Sequence, residues 1–218
     1  DLNEATLNRA NLEHAILLGT KFGETHLEHV HWGERVLQED RARESRRANK
    51  LTAALTHFEE AEEVYRNLRR GAENRGYFEL AGTFFHREMV MNRHKSPLFS
   101  FARFLSKLED FVTGYGERPS RVLRFAALLI VSYALAYSLV GIHGDGHEVI
   151  LDSARTLAEN LGDFGRCVYY SIVTFTTLGY GDFIPVKPLA RFFAATEALV
   201  GAFSMSLFIV VFVRKRMR

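Results

Sequence analysis

The sequence predicts a membrane all-α module that follows a short β-solenoid and a helical hairpin. Three observations carry this prediction. Two apolar runs, residues 122–142 and about 189–213, are each long enough to cross a bilayer. Between them an apolar segment ends in Thr176-Thr177-Leu178-Gly179-Tyr180-Gly181-Asp182, with Pro185 behind it. The first 35 residues repeat with a period of five. Composition sets outer bounds only. The 218 residues carry a formal charge of +2, which does not point to nucleic acid, and the single Cys167 excludes an intrachain disulfide framework. No stretch reads as a cleavable secretory signal.

Read in fives, residues 1–35 become DLNEA, TLNRA, NLEHA, ILLGT, KFGET, HLEHV and HWGER. The second place is always large and apolar: Leu2, Leu7, Leu12, Leu17, Phe22, Leu27 and Trp32. The fifth is small in the early units: Ala5, Ala10, Ala15, Thr20 and Thr25. An amphipathic helix is disfavoured, because positions five apart drift around its surface. A fixed short period reads instead as an array of stacked units. The pattern resembles the pentapeptide-repeat family, whose chain winds a four-sided β-solenoid with one repeat per side. Fewer than two coils are too few to be stable alone, so residues 1–35 are expected to end a longer solenoid in a chain that begins in mid-pattern. His14, His26, His29 and His31 lack a metal-ligand spacing and are read as solenoid surface.

Residues 36–95 turn helical. Leu51, Ala54, Leu55, Phe58, Ala61, Val64, Tyr65 and Leu68 recur at spacings of three and four, with charges opposite. A second stripe runs through Tyr77, Leu80, Ala81, Phe84 and Phe85. Two antiparallel helices joined near Gly71–Gly76 are expected, similar to a tetratricopeptide-type hairpin and serving as an adaptor. The run Arg41–Arg47 mixes signs and reads as a solvated helix face. Ser96-Pro97 is a helix-start signal. Residues 96–118 then place Leu98, Phe101, Phe104, Leu105, Leu108, Phe111 and Val112 on one side, the pattern of a helix lying in the membrane interface. Thr113-Gly114-Tyr115-Gly116 is read as the turn that redirects the chain.

The domain spanning residues 119–218 follows. Twenty-one residues from Val122 to Ile142 give roughly 32 Å, enough to span. Arg118, Arg121 and Arg124 precede the first span, and Arg214, Lys215, Arg216 and Arg218 follow the second. The link carries His143, Asp145, His147, Glu148, Asp152, Glu159 and Asp163. The positive-inside rule therefore puts both termini in the cytoplasm and the link outside. A long turret is expected over 143–164, with a short helix near Leu151–Leu161. A helix over 165–176 and a loop over 177–181 dip back into the membrane, which irregular backbone tolerates only where it is buried or lines water.

This arrangement resembles two-transmembrane potassium channels over about residues 97–218. The resemblance implies a homotetramer, since each chain supplies one loop. It implies that Thr177, Leu178, Gly179, Tyr180 and Gly181 form the selectivity filter, whose carbonyls replace the water around K⁺. Leu178 stands where Val is commonest. Tyr169, Tyr170, Val173 and Asp182 take the filter-support positions, with Tyr170 near Tyr180 and Tyr169 near Asp182; Val173 stands where some members have a Glu. Thr176, Ala202, Met205 and Ile209 would line the inner cavity. Gly201 is the family's gating hinge or, on the residues alone, a site of close helix packing. Glu197, a carboxylate inside the second span, must face protein or water. It is read as a brace to the pore helix through Ser171 or Thr174, in preference to a cavity ion site.

The function expected is K⁺-selective conduction in the cell membrane, regulated by the N-terminal cytoplasmic part and any protein or ligand that binds it. The required partners are K⁺, the bilayer and three further copies, with no cofactor. Two alternatives stand: a less selective cation channel or transporter subunit, and a membrane-anchored repeat protein that binds partners. No nucleophile–base set or phosphate loop supports an enzyme.

Overall fold

The computed structural model describes residues 2, 5–22, 25–26, 29–144 and 146–216. Leu27, Asp145 and Arg218 of the sequence reading lie outside the described residues. The chain forms two compact units, Asp1–Glu117 and Arg118–Met217.

In the first unit the five-residue period becomes a turn period. Backbone N–H groups of Ala5, Ala10, Ala15 and Thr20 each donate to the carbonyl three residues back. Arg9, His14, Gly19 and His29 occupy left-handed corners. Parallel bridges join Thr6 to His26 and Asn11 to His31, and Leu7 N–H donates to the His26 carbonyl at 3.0 Å while His26 N–H returns to Ala5 at 2.9 Å. The expected β-solenoid strands are absent among the described residues here, and these two bridges are isolated. A turn in every five residues leaves too little extended backbone for a strand. Leu17 and Phe22 are buried beneath the turns.

Three helices cover this layer: α1 (Leu37–Arg47), α2 (Leu51–Asn74) and α3 (Phe78–Lys95). The predicted hairpin is α2 with α3, and α1 is an added helix turned back by left-handed Asn49. Gly71 belongs to α2, not to the connection. It lets α2 approach the first layer, since a Cβ there would come within 2.7 Å of Phe22. Ala54, Phe58, Ala61, Val64, Tyr65, Leu68, Phe84 and Met91 form the core. Buried Glu39 accepts from the Tyr65 hydroxyl at 2.6 Å and pairs with Arg43 at 2.7 Å; burial and this carboxylate push the Tyr65 phenol well above its usual range. Glu88 joins α3 to α2 through Arg66 and Arg69 at 3.0 and 2.8 Å.

Helix α4 spans Phe101–Thr113, four residues later than Ser96-Pro97 predicts. Pro97 instead opens a turn closed by Ser100 N–H at 3.2 Å. Phe101, Phe104, Leu105, Leu108 and Phe111 are exposed on α4, while Asp110 ties it to α3 through His86 and Arg93, each at 2.8 Å. Gly114, Tyr115 and Gly116 are all left-handed, and Tyr115 is buried with its hydroxyl on Ser106 at 2.8 Å. This copy of the Gly-Tyr-Gly pattern is a packed turn.

The second unit is built on α5 (Pro119–Val140), α6 (Leu157–Phe175) and α7 (Pro188–Arg216). Helices α5 and α7 are long and apolar enough to cross a membrane. Pro119 opens α5 at its first turn, where its missing N–H is not needed. The link holds a three-stranded sheet that no periodicity announces: β1 (Ile142–Gly144), β2 (His147–Val149) and β3 (Phe183–Ile184), in the order β2-β1-β3 and antiparallel throughout. Gly144 lets the Phe183 ring lie against β1, where a side chain would overlap it. Lys187 anchors the sheet to the end of α5, reaching the Val140 carbonyl at 2.7 Å and Glu148 at 2.5 Å. The short turret helix and the re-entrant helix of the sequence reading are one element, because Gly162 and Gly165 are accommodated inside α6. A capping box of Thr156 and Glu159 fixes its start. Asp163, buried, holds Arg155 and Arg166 at 2.5 and 2.7 Å.

Candidate functional site

Helix α6 ends where the chain stops being helical and its next residues alternate in hand. Thr177, Gly179 and Gly181 have φ of 58°, 57° and 79°. Left-handed backbone is cheap for glycine and costs about 1–2 kcal/mol for other L-residues, so Thr177 is held there by its surroundings. The grip comes from the last turn of α6: Thr177 N–H donates to the Thr174 carbonyl at 3.0 Å, and Leu178 and Gly179 N–H share the Val173 carbonyl at 3.0 and 3.4 Å. Val173 is buried, so the brace it gives the loop is its backbone oxygen. The loop itself is open. Leu178 is 58% and Tyr180 67% exposed, and a Cβ on Gly179 or Gly181 would meet nothing within 4 Å. The loop thus differs in kind from the buried turn at Tyr115.

The flanking aromatics divide their tasks. Tyr169 packs edge-on against Phe183 at 5.9 Å and its hydroxyl hydrogen-bonds Asp182, which reaches back to the Phe183 N–H at 3.1 Å. Tyr170 is buried with its ring edge-on to Tyr137 at 4.8 Å; its ring partner within the chain is on α5, not Tyr180. The Thr176 hydroxyl donates to the Ile172 carbonyl at 2.7 Å and closes the helix end.

Behind the loop lies Glu197, fully buried on α7. The Tyr137 hydroxyl donates to its Oε2 at 2.6 Å, and the Ser171 hydroxyl meets its Oε1. Ser171 also lies 2.9 Å from the Ile130 carbonyl. One carboxylate therefore joins α5, α6 and α7. Sequence reasoning named Ser171 but missed Tyr137; the usable signal was a phenol within a span, which needs a polar partner when buried. Thr174 does not take the part suggested for it and hydrogen-bonds Tyr170 instead.

Gly201 is buried where α7 crosses the end of α6, and a methyl group there would overlap the Phe175 carbonyl oxygen. Close packing is thus a sufficient reason for this glycine. Ala202, Met205 and Ile209 are exposed on α7 of the single chain, Met205 by 47% and Ile209 by 58%. Leu199, Phe203 and Val210 are also exposed, so α7 is apolar on several sides.

Comparison with known proteins places this geometry. Residues 125–217 match the family described as "Ion channel". Over 111 residues the chain is 28% identical to a protein of Rhodopseudomonas palustris (strain ATCC BAA-98 / CGA009) named "Putative potassium channel protein", an alignment covering 50% of this chain and 24% of that relative. The chain therefore spans about a quarter of the curated relative it matches. No solved structure matches. The part of this chain that is similar to an ion channel domain, residues 125–217, holds most of α5, all of α6 and α7, and the alternately handed loop.

Proposed function

We propose that the protein is a K⁺-selective channel whose pore is lined by Thr177-Leu178-Gly179-Tyr180-Gly181 from four identical chains. The observation that carries the reading is the alternation of left-handed backbone at Thr177, Gly179 and Gly181 in an exposed loop. Reversing hand at every second residue turns successive carbonyls toward one side, and rings of such carbonyls replace an ion's hydration shell. The similarity to an ion channel domain and to a protein named for potassium supports the reading. Helix α6 directs its partial negative C-terminus at the inner side of this loop, which favours a cation there. Conduction needs no covalent step and no cofactor. Four chains also bring the exposed Met205 and Ile209 together around a cavity, with Thr176 at its top.

Arg118, Arg121 and Arg124 before α5, with Arg214, Lys215 and Arg216 at the end of α7, favour cytoplasmic termini in the cell membrane. Residues 1–35 are then a cytoplasmic pentapeptide-repeat coil, a reading supported by hydrogen bonds about twenty residues apart and by turns closed at Ala5, Ala10, Ala15 and Thr20. Together with α1–α4 they form the regulatory part.

The test is flux into liposomes holding the purified protein, under K⁺ or Na⁺ gradients with and without Ba²⁺. K⁺ flux blocked by Ba²⁺, with no Na⁺ flux, is expected. Equal flux of both ions would overturn selectivity.

A further inference from the structure

Behind the exposed apolar face of α4 lies a cluster of positive charge that neither the core of its unit nor ion conduction uses. Arg103 is only 6% exposed, although its neighbours on α4 face outward. Its Nη1 donates to the Ser96 carbonyl at 3.0 Å, and its Nη2 lies 3.3 Å from His94 Nδ1. Arg46 of α1 reaches the same Nδ1 at 2.9 Å and stands over the Phe58 ring, on which His94 stacks at 4.7 Å. Two guanidinium groups from different helices thus share a single imidazole lone pair.

Their neighbours are neutralised. Arg43 pairs with Glu39 at 2.7 Å, Arg93 with Asp110 at 2.8 Å and Lys95 with Glu62 at 2.6 Å. Among the described residues neither Arg46 nor Arg103 forms an ion pair with a carboxylate, and Arg103 Nε is buried with no acceptor. Folding like charges together without a counterion is costly. Forked, planar donors of this kind match the oxygens of a phosphate better than any single-point anion.

We infer that Arg46 and Arg103, converging on His94, form a binding site for a phosphate group that clamps α1 and α3 to α4. The phosphate oxygens take the donors that now compete for Nδ1, and the anion compensates the two charges. The chemistry fits a lipid headgroup, because α4 presents apolar side chains, and equally a free phosphate in the cytosol.

Thermal unfolding of the full chain in neutral detergent distinguishes these sources. One arm adds inorganic phosphate against potassium chloride of equal ionic strength; the other adds phosphatidic acid against phosphatidylcholine. A rise in Tm of a few degrees in either arm is expected, since a ligand of the folded state stabilises it. A rise in the first arm alone identifies a soluble phosphate, and in the second alone a lipid. Arg46→Gln and Arg103→Gln should abolish the rise, whereas Arg70→Gln, an equal charge loss on an exposed residue of α2, should keep it. If Arg103→Gln does not fold, the partly exposed Arg46 decides. No rise in either arm, or a rise that survives Arg46→Gln, overturns the site. Neither readout depends on ion flux.

Discussion

The Tyr137 hydroxyl on α5 donates to Glu197 on α7 at 2.6 Å, and Ser171 of α6 meets the other oxygen of that carboxylate. Glu197→Ala leaves the buried Tyr137 hydroxyl without its acceptor, at about 1–3 kcal/mol for the unsatisfied group, while Ser171 keeps the Ile130 carbonyl. Glu197→Gln keeps a carbonyl for Tyr137 and should stay within about 1 kcal/mol of wild type by the same reasoning. Thermal melts of both variants check this. A melt of Glu197→Ala at the wild-type temperature would show that the brace carries no stability.

Gly201 and Gly179 should fail in opposite ways. A methyl group at Gly201 collides with the Phe175 carbonyl, so Gly201→Ala should destabilise the protein by about 1–3 kcal/mol, the usual cost of overpacking. Gly179→Ala meets no atom of its own chain, so the fold of the chain should survive at a strain of about 1–2 kcal/mol. On the proposed channel function, its cost should fall on conduction, measured as lost K⁺ over Na⁺ selectivity in liposomes. Normal stability for Gly201→Ala with altered open probability would favour a hinge over packing.

Acid should loosen the first unit through His94. Burial, with Arg46, Arg103, Arg93 and Arg43 around the ring, pushes its pKa from 6.5 down to about 4. Between these values the unfolded chain takes up a proton that the folded chain refuses, so stability must fall as pH drops from about 6.5 toward 4. His94→Gln, which keeps a neutral acceptor, should show a shallower loss over that window. Identical pH profiles for the two proteins would remove His94 from the account.

The start of α6 depends on a local device. Thr156 accepts from Glu159 N–H at 3.3 Å while the Glu159 carboxylate accepts from Thr156 N–H at 2.8 Å. Thr156→Ala should cost about 1 kcal/mol and Thr156→Ser much less. Paired unfolding curves test this, and an equal effect of the two substitutions would contradict the cap.

Strong one-dimensional signals in the sequence survived folding as elements. Hydropathy marked α5 and α7 because a span is long and uniformly apolar, and the spacing of Leu51 through Leu68 marked α2. The five-residue period marked residues 1–35 as a repeating array, yet not that the described residues there form isolated bridges in place of strands. Strands of three residues, such as Ile142–Gly144, are too short to show alternation and are fixed by partners distant in sequence. Pro97 misled because an N-cap signal is also a turn signal, and the first helical residue came four positions later. The short helix near Leu151–Leu161 and the helix over 165–176 were read apart, and Leu157–Phe175 is one helix that carries Gly162 and Gly165 within it. At the loop, Gly179 and Gly181 are residue types that accept the left-handed backbone found there, whereas the Tyr137 partnership required knowing which helices meet.

The continuity of α6 has a mechanical meaning. Nineteen residues without interruption make a stiff rod of about 28 Å, with the capping box at one end and Val173, whose carbonyl grips Leu178, near the other. A push, pull or binding event at the Thr156 end would therefore reach the loop through a rigid lever, with no joint between to absorb it.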